Sequence, residues 1–345
     1  MAQITVGIPA YKAMFLSQAI ASVLAQTFTD FELLISDDCP DDSVRAVVDG
    51  FRDPRIRLIA GPRRGLVANS AHLWAHATCD LLKYVYDDDF LLPFALEALR
   101  AALDTNPEAT YAFSHRYLVD GAGRIKKSPL ALKGEATLTF AASVVPETII
   151  RNMRNFVGEP TNVLIRRSAF RDAGCLSSYC GLEIRHMIDV AFYLNAGLHG
   201  PCVGIPEFHA AFRQHENQVS AQRTAPGFAM GFIEWELFVR GSVQNGLVSP
   251  ASTEQAVPWL ERAYRMLDAD FPEVSPLRAG LPGLQARLRG GETDLLDSAF
   301  MANWGAAHER ADRRLAAAGA QEAATFDQLS FKRTPVQSVL SPASR

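Results

Sequence analysis

Three consecutive carboxylates, Asp87, Asp88 and Asp89, are the residues of this sequence best suited to chemistry. They interrupt an apolar run typical of a buried strand before them and a helix start after them. Because an unpaired buried charge is very unfavourable, clustered carboxylates at such a place favour a hard divalent cation, which often shares its oxygen ligands with a substrate phosphate. The alternative interpretation is a solvated acidic turn that caps a helix beginning at Pro93.

The elements that must hold this triplet alternate between strand and helix. Hydrophobic patterns predict strands at 4–8, 31–36, 56–60 and 81–86, with helical spacing at 15–24, 44–51 and 66–77 between them. Strict alternation with short connections predicts the α/β class, with a mostly parallel, Rossmann-like sheet covered by helices on both faces.

Such a sheet would bring three groups of residues to one edge. Pro9-Ala10-Tyr11, Asp37-Asp38 and the Asp triplet each follow a predicted strand. In open α/β sheets the ligand crevice lies beyond the carboxyl ends of the strands. The sequence therefore predicts a ligand site at this edge, which isolated acidic turns would not explain.

Composition narrows the classes of partner. The chain has 345 residues, a net charge of −4 and 48% hydrophobic residues, as expected of an ordinary globular protein. A general nucleic-acid binder would carry a strong basic excess, so no nucleic-acid partner is predicted. No window suggests a signal peptide or a membrane span. Five scattered cysteines favour reduced thiols in a cytoplasmic enzyme.

The remaining chain is less regular and then helical. A strand is predicted at 110–119, a turn at 120–123, a helix at 182–196 and an extended stretch at 200–212. Helices are predicted at 228–240, 256–267 and 307–324. The interpretation is a domain over 1–222 with halves 1–95 and 96–222, a helical region over 223–331, and a loosely ordered tail over 332–345.

Several of these segments resemble a known family. Val6-Gly7-Ile8-Pro9-Ala10-Tyr11, residues 21–33 and Ile35-Ser36-Asp37-Asp38 resemble, in order and spacing, the opening of family 2 glycosyltransferases. The resemblance is specific over about residues 3–95, weaker to about residue 220, and absent from the C-terminal third. It implies a GT-A fold and an inverting enzyme that uses a nucleotide-diphosphate sugar, with UDP weakly favoured.

The resemblance also implies a donor site. Asp38 would accept the base N–H, although a turn or N-cap role is its structural alternative. The family usually has Gly-Ser after this Asp, where this chain has Cys39-Pro40. The residues implied to bind the nucleotide sugar are Pro9, Ala10, Tyr11, Asp38, Arg64, Asn69 and Asp87.

The Asp triplet corresponds to the family's metal-binding DxD element. Counting back from Pro93 puts Tyr86 where the family's first Asp usually stands, and the two ways of aligning the motif share only Asp88. Asp88 is therefore the predicted direct ligand of Mn²⁺ or Mg²⁺, with Asp89 assisting. His215 follows the last predicted strand and is a further metal candidate, or simply a polar residue at a strand end.

A catalytic base is implied by the segment from Arg185 to Phe192, which resembles the family's base-carrying segment. Asp189 is the candidate for the base, and Glu183 is the second candidate. A helix N-cap is the alternative role for Asp189. Residues 158–162 resemble the loop before a short strand on the acceptor side.

These implications leave alternatives open. A degenerate transferase could serve as a nucleotide-sugar-binding scaffold, and the Tyr86 and Ile188 departures keep that hypothesis. A nucleotidyltransferase would need a Gly-rich basic loop where Pro9-Ala10-Tyr11-Lys12 stands, and no GxGxxG or P-loop is present. The acceptor could be a glycan, a lipid-linked sugar, a protein or a small molecule. The C-terminal helices could form an acceptor platform, a homodimer interface or a peripheral membrane contact.

Overall fold

A computed structural model of the chain describes residues 2–215 and 226–330. A ten-stranded sheet with the strand order β3-β2-β1-β4-β9-β6-β12-β5 lies at its centre, with β7 paired to β6 and β8 to β12. The strands are β1 (Ile4–Ala10), β2 (Phe31–Asp37), β3 (Ile56–Ala60), β4 (Leu81–Tyr84), β5 (Phe90–Leu91), β6 (Tyr111–Val119), β7 (Ile125–Lys127), β8 (Leu138–Phe140), β9 (Val163–Arg166) and β12 (Cys202–Arg213). A separate hairpin joins β10 (Ser178–Tyr179) to β11 (Leu182–Glu183).

The first half of the sheet is parallel, as the alternating pattern predicts. Strands β3, β2, β1 and β4 run in one direction, and β1 lies between β2 and β4. Strand β9 then inserts antiparallel between β4 and β6, and β12 runs parallel to β6. The carboxyl ends of β1, β2 and β4 therefore meet at one edge, which is where the acidic triplet follows β4.

Helices cover both faces of the sheet, so the predicted layering is confirmed. Their amphipathic patterns place α1, α2 and α4 in one apolar core with Val6, Ile8 and Leu33, and α3, α5 and α7 in the core on the opposite face. The helices of the sheet region are α1 (Leu16–Leu24), α2 (Ser43–Val48), α3 (Leu66–His76), α4 (Ala95–Thr105), α5 (Val144–Asn152), α6 (Gly174–Ser177) and α7 (Ile188–Ala196).

After residue 225 the described chain is helical, as predicted. The elements are α8 (Pro226–Gln244), α9 (Pro250–Thr253), α10 (Ala256–Leu267), α11 (Ser275–Arg289) and α12 (Ser298–Ser330). Their apolar residues join the core that contains α5 and α7, so this region packs on the sheet domain. None of the helices in the described part of the chain has the length and apolar character that crossing a membrane requires. The predicted boundary at 222 and the predicted tail at 332–345 fall outside the described residues.

Several predicted boundaries are wrong in detail, and the helix predicted at 307–324 spans Ser298–Ser330. The helix predicted at 182–196 begins only at Ile188, because the β10-β11 hairpin turns through Cys180 and Gly181, both with positive φ, and uses residues 182–183 as a strand. The strand predicted at 81–86 ends at Tyr84. Beyond it the backbone turns, since Asp89 N donates to Tyr86 O and Tyr86 N donates to the Thr161 hydroxyl.

Candidate active site at the carboxyl edge of the sheet

Asp87 connects the ends of two neighbouring strands. Its Oδ2 atom accepts hydrogen bonds from Tyr11 N and Lys12 N, each at 2.7 Å. Tyr11 and Lys12 follow β1, and Asp87 follows β4, so one carboxylate joins the two strand ends. Burial raises the pKa of Asp87 to about 6, against the opposing effect of the two backbone donors. Asp87 thus shapes the loop that is predicted to line the nucleotide.

Asp88 faces the open side of the edge. Its side chain is 21% exposed, and its Oδ2 atom lies 3.2 Å from Nε2 of His215. The structure therefore brings the predicted direct metal ligand, Asp88, together with the further metal candidate His215. One carboxylate and one imidazole are donors that suit Mn²⁺, and Mg²⁺ accepts a single carboxylate when phosphates and water supply the other ligands.

Asp89 turns inward. It is fully buried, and its two oxygens accept from the Thr161 hydroxyl at 2.6 Å and from Arg213 N at 3.0 Å. Burial, followed by the neighbouring Asp88 charge, raises the pKa of Asp89 well above its ordinary value. Both oxygens of Asp89, the predicted assisting ligand, thus accept hydrogen bonds from protein donors. These bonds fix the last strand of the sheet beside the triplet.

Arg213 is buried and holds the loops around the triplet. Its guanidinium donates to Asp88 O at 2.8 Å and to Asp120 O and Gly121 O at 3.2 and 3.0 Å, and it also donates to the Gln18 side chain. It packs 4.2 Å from the centre of the Phe15 ring. Sequence reasoning did not predict this role, because the partners lie up to 195 positions away in the chain.

Asp38 orders the turn that leads into α3. It is 4% exposed, and its two oxygens accept from Arg63 N and from Gly65 N, the latter at 3.0 Å. Both donors have positive φ, 55° and 84°, so the carboxylate stabilises a backbone shape that side chains disfavour. The turn role that the sequence left open is therefore present, and base recognition by Asp38 stays a prediction.

The other predicted donor residues surround this turn. Pro9 and Ala10 are buried in β1, and Ala10 O accepts from Asp38 N at 2.9 Å. Tyr11 is 53% exposed and Arg64 is exposed, so both can contact a ligand. Asn69 is 1% exposed and donates to Ser36 O at 3.1 Å, while its Oδ1 has no hydrogen-bond partner among the described residues.

Asp189 is the second residue of α7. One oxygen accepts from Val190 N at 2.8 Å and the other from Asn155 Nδ2 at 2.7 Å. Burial raises the pKa of Asp189 to about 6, and the Glu159 charge contributes to the rise. A carboxylate with such a pKa is ionised at neutral pH and is a stronger base than an ordinary Asp. The N-cap role that the sequence named as an alternative is not present, because Met187 is the N-cap of α7 and Asp189 lies inside its first turn.

The charges of both Asp189 and Asp89 act on Tyr86. Burial raises the pKa of its hydroxyl well above the ordinary value, and the Asp189 and Asp89 carboxylates raise it further. Tyr86 stands where the family's first Asp is usual. The Tyr86 hydroxyl is thus affected electrostatically by both the triplet and Asp189. Glu183, the second candidate for the base, is exposed and pairs with Arg185 at 2.7 Å.

An ion pair beside Asp189 was missed by sequence reasoning. Arg116 of β6 pairs with Glu159, and the Arg116 guanidinium occupies the space where a Cβ on Gly158 would lie, 2.6 Å away. Gly158 has φ 114°, and its carbonyl accepts from the Tyr193 hydroxyl at 2.8 Å. The available signal was the resemblance of residues 158–162 to an acceptor-side loop, but nothing in the sequence pointed to Arg116.

The donor set fits a cation that also binds the substrate. Within residues 2–215 and 226–330, no three His, Cys, Asp or Glu side chains are grouped closely enough to hold a metal ion by themselves. Asp88 and His215 would therefore supply only part of a coordination shell. Diphosphate oxygens and water are the ligands that complete such shells for Mg²⁺.

Several known proteins are similar to this chain. Residues 5–174 match the family described as "Glycosyl transferase family 2". The chain is 27% identical over 219 residues to "Uncharacterized protein MT1568" of Mycobacterium tuberculosis, covering 61% of this chain and 67% of that protein. It is 27% identical over 246 residues to the GalNAc(5)-diNAcBac-PP-undecaprenol beta-1,3-glucosyltransferase of Campylobacter jejuni, covering 68% of this chain and 73% of that protein.

A solved structure shares the fold. The crystal structure of S. aureus TarS 1-349 in complex with UDP-GlcNAc superposes with a TM-score of 0.55 at 15% identity, covering 84% of this chain and 92% of that one. The overlap extends well past the matched family segment. The likeness therefore includes part of the helical region that follows the sheet.

Proposed function

The chain carries a glycosyl transferase family 2 domain over residues 5–174, and on that premise we propose that this glycosyltransferase moves a sugar from a UDP-sugar to an acceptor hydroxyl with inversion. One observation carries the proposal. Asp88 pairs with His215 after β4, and the pKa of Tyr86, two residues before Asp88, is raised by the charges of both Asp189 and Asp89. An inverting transfer needs a cation-assisted leaving group and a separate base, and this edge offers both.

Donor binding would use the turn that Asp38 orders. Tyr11 and Arg64 are the exposed side chains there, suited to stacking on a base and to pairing with a diphosphate, respectively. Pro9, Ala10 and the buried Asn69 shape the floor beneath them. The TarS structure was solved with UDP-GlcNAc, which supports a uridine donor for this chain.

Asp88 and His215 would hold Mn²⁺ or Mg²⁺, with Asp89 fixing the loop behind them. The bound cation would stabilise the negative charge that develops on the departing diphosphate. Asp87 and Arg213 keep the triplet in place through the backbone at Tyr11, Lys12 and Asp88. These residues therefore orient the leaving group without taking or giving a proton.

The transfer itself would run through Asp189. The acceptor oxygen attacks the anomeric carbon on the face opposite the diphosphate, and the bond from that carbon to the diphosphate oxygen breaks with its electron pair. The acceptor proton passes to the Asp189 carboxylate. Asn155 and Val190 N hold the two Asp189 oxygens, so the base presents a fixed geometry at its remaining lone pairs.

A matched binding and turnover experiment tests this function. UDP-sugars and other nucleotide sugars are titrated with and without Mn²⁺ by calorimetry, and release of the nucleotide diphosphate is followed with glycan and lipid-linked glycan acceptors. We expect Mn²⁺-dependent binding of a UDP-sugar together with transfer that inverts the anomeric configuration. Retention of configuration, or turnover unaffected by chelation, would contradict the mechanism.

The second candidate is a catalytically degenerate nucleotide-sugar-binding protein. Tyr86 at the usual place of an Asp, and the inward-facing Asp89, are the observations that favour it. Tight UDP-sugar binding without hydrolysis or transfer to any acceptor would support that candidate over the enzyme.

A further inference from the structure

Glu234 is a buried carboxylate from the C-terminal helices that reaches the base-carrying segment. It belongs to α8 and has no exposed surface. Its Oε1 atom accepts from Arg185 N at 2.7 Å and His186 N at 3.1 Å. Its Oε2 atom accepts from His186 N at 3.2 Å and Met187 N at 2.7 Å. One side chain therefore binds three consecutive backbone N–H groups.

Those three residues lead directly into α7, whose second residue is Asp189. The first N–H groups around a helix start lack intrahelical partners and need other acceptors. Met187, the N-cap of α7, provides no side-chain hydrogen bond. Glu234 instead binds the three N–H groups immediately before the helix, from 47 to 49 positions further along the chain. A negative charge at this position also interacts favourably with the positive end of the helix dipole.

A second C-terminal helix, α12, supports the same contact. His308 Nε2 lies 3.4 Å from Glu234 Oε1, and Trp304 stacks on the His308 ring with centroids 4.4 Å apart. Asp312 pairs with Arg185, the first residue that Glu234 holds. The segment before Asp189 is thus bound from both α8 and α12.

We infer that Glu234 is a positioning residue for glycosyl transfer, which holds the start of α7 so that Asp189 meets the acceptor hydroxyl. The inference rests on the proposed function, because it takes Asp189 as the base. A base must stand within hydrogen-bond reach of the proton it removes, and a displacement of about 1 Å can reduce the rate by about 10²-fold. The C-terminal helices are then part of the catalytic apparatus, in addition to their packing role.

Glu236 provides a matched control on the same helix. It is also fully buried, but it accepts from Arg240 Nε at 2.9 Å and from the Tyr264 hydroxyl at 2.8 Å, away from residues 185–189. Glu234→Gln and Glu236→Gln each replace one buried carboxylate by an isosteric amide. In Glu234→Gln the amide NH₂ would face backbone N–H donors, so the segment before α7 must shift.

The experiment compares Tm, donor Kd, and kcat for transfer in the two variants of the full chain. For Glu234→Gln we expect kcat to fall by at least about 30-fold while donor Kd changes by less than about twofold. For Glu236→Gln we expect Tm to fall but kcat to stay within about threefold of the wild type. Equal kcat values in both variants at equal Tm loss would overturn the inference.

A double-mutant cycle separates this inference from the proposed function. If Glu234 acts through Asp189, Glu234→Gln has almost no further effect on the residual turnover of Asp189→Asn. Unchanged turnover in Asp189→Asn alone would refute the proposed base. Lost turnover in Asp189→Asn with full turnover in Glu234→Gln would refute the positioning role only.

Gly231→Ala tests the same contact should Glu234→Gln fail to fold. A Cβ at Gly231 would lie 3.1 Å from Cδ2 of His186, so it presses on the middle residue of the held segment and removes no charge. We expect kcat to fall by about 3- to 10-fold with donor Kd unchanged. An unchanged kcat in this variant would contradict the inference independently of Glu234.

Discussion

The donor side and the acceptor side of the sheet edge hold their carboxylates in different ways. On the donor side, Asp38 binds backbone N–H groups 25 and 27 positions away, in the next loop of the alternating fold. On the acceptor side, the segment before Asp189 depends on Glu234 of a C-terminal helix. The predicted donor site is thus built from adjacent strand ends, whereas the placement of the proposed base depends on packing between distant parts of the chain.

The two sides also differ in exposure. Tyr11 and Asp88 are partly open, as a site for a large charged nucleotide requires. Asp189 is half-buried and so less exposed than Tyr11, and burial together with the Glu159 charge raises its pKa. On the proposed function, this edge would recognise its donor with accessible groups and raise the pKa of its base by burial. Mutations on the two sides should therefore separate binding from turnover.

The largest expected effect is on turnover and comes from the acceptor side. Asp189→Asn keeps the shape but removes the base, so kcat should fall by about 10²- to 10⁴-fold with donor Kd nearly unchanged. Steady-state kinetics and calorimetry measure the two quantities. Glu183→Gln is the control, since Glu183 is exposed and pairs with Arg185, and it should keep wild-type turnover. Equal loss of donor affinity in Asp189→Asn would make Asp189 a structural residue.

The largest effect on binding should come from the donor side. Asp88→Ala removes the carboxylate beside His215, so Mn²⁺-dependent affinity for UDP should fall by about 10- to 100-fold. Binding measured without the metal should change little. Asp104→Ala, which breaks only a surface ion pair with Arg100, is the matched control. Unchanged calorimetric titrations in Asp88→Ala would remove Asp88 from the metal site.

Gly158 tests how tightly the acceptor side is packed. Gly158→Ala combines strain at φ 114° with a Cβ only 2.6 Å from the Arg116 guanidinium, so it should destabilise the fold by about 2–4 kcal/mol. Gly134→Ala shares a positive φ of 93° but has open space around it, and should cost only about 1 kcal/mol. Denaturant unfolding of both variants gives the difference, and equal losses would show that Arg116 moves aside freely.

The smallest expected effect is a shift in the pH profile. The proposed base Asp189 would act only when ionised, and burial raises its pKa to about 6, so kcat should decline as the pH falls through 6. Asn155 donates to the ionised form, so Asn155→Ala should raise that pKa and move the decline to higher pH by about one unit. Asn152→Ala, whose amide bonds Thr148 O, should leave the profile in place. A shift to lower pH would contradict the assignment.

Much of the donor side was predictable because its signals are local. Alternating apolar residues predicted β1, β2 and β4, and the residues after them are the ones that meet at the edge. The different orientations of Asp88 and Asp89 were not predictable, since Thr161 and Arg213 that fix Asp89 are 72 and 124 positions away. The antiparallel insertion of β9 was not predictable either, because a strand of four residues shows too little hydrophobic pattern to indicate its direction in the sheet. The support of α7 by Glu234 depends on packing between helices that sequence periodicity does not relate.

Arg213 has a consequence for the order in which the site comes into being during biosynthesis. It lies at the end of β12, the last strand of the described sheet, yet its contacts include Gln18, Asp88 and Asp89. Contacts between such distant positions form late, because their loop-closure entropy must be overcome first. A nascent chain can thus fold its first half before Asp88 and Asp89 make their final contacts with Arg213. If the triplet holds the cation of the proposed transferase, turnover would begin only when the final strand has joined the sheet, which would tie the first turnover to completion of the domain.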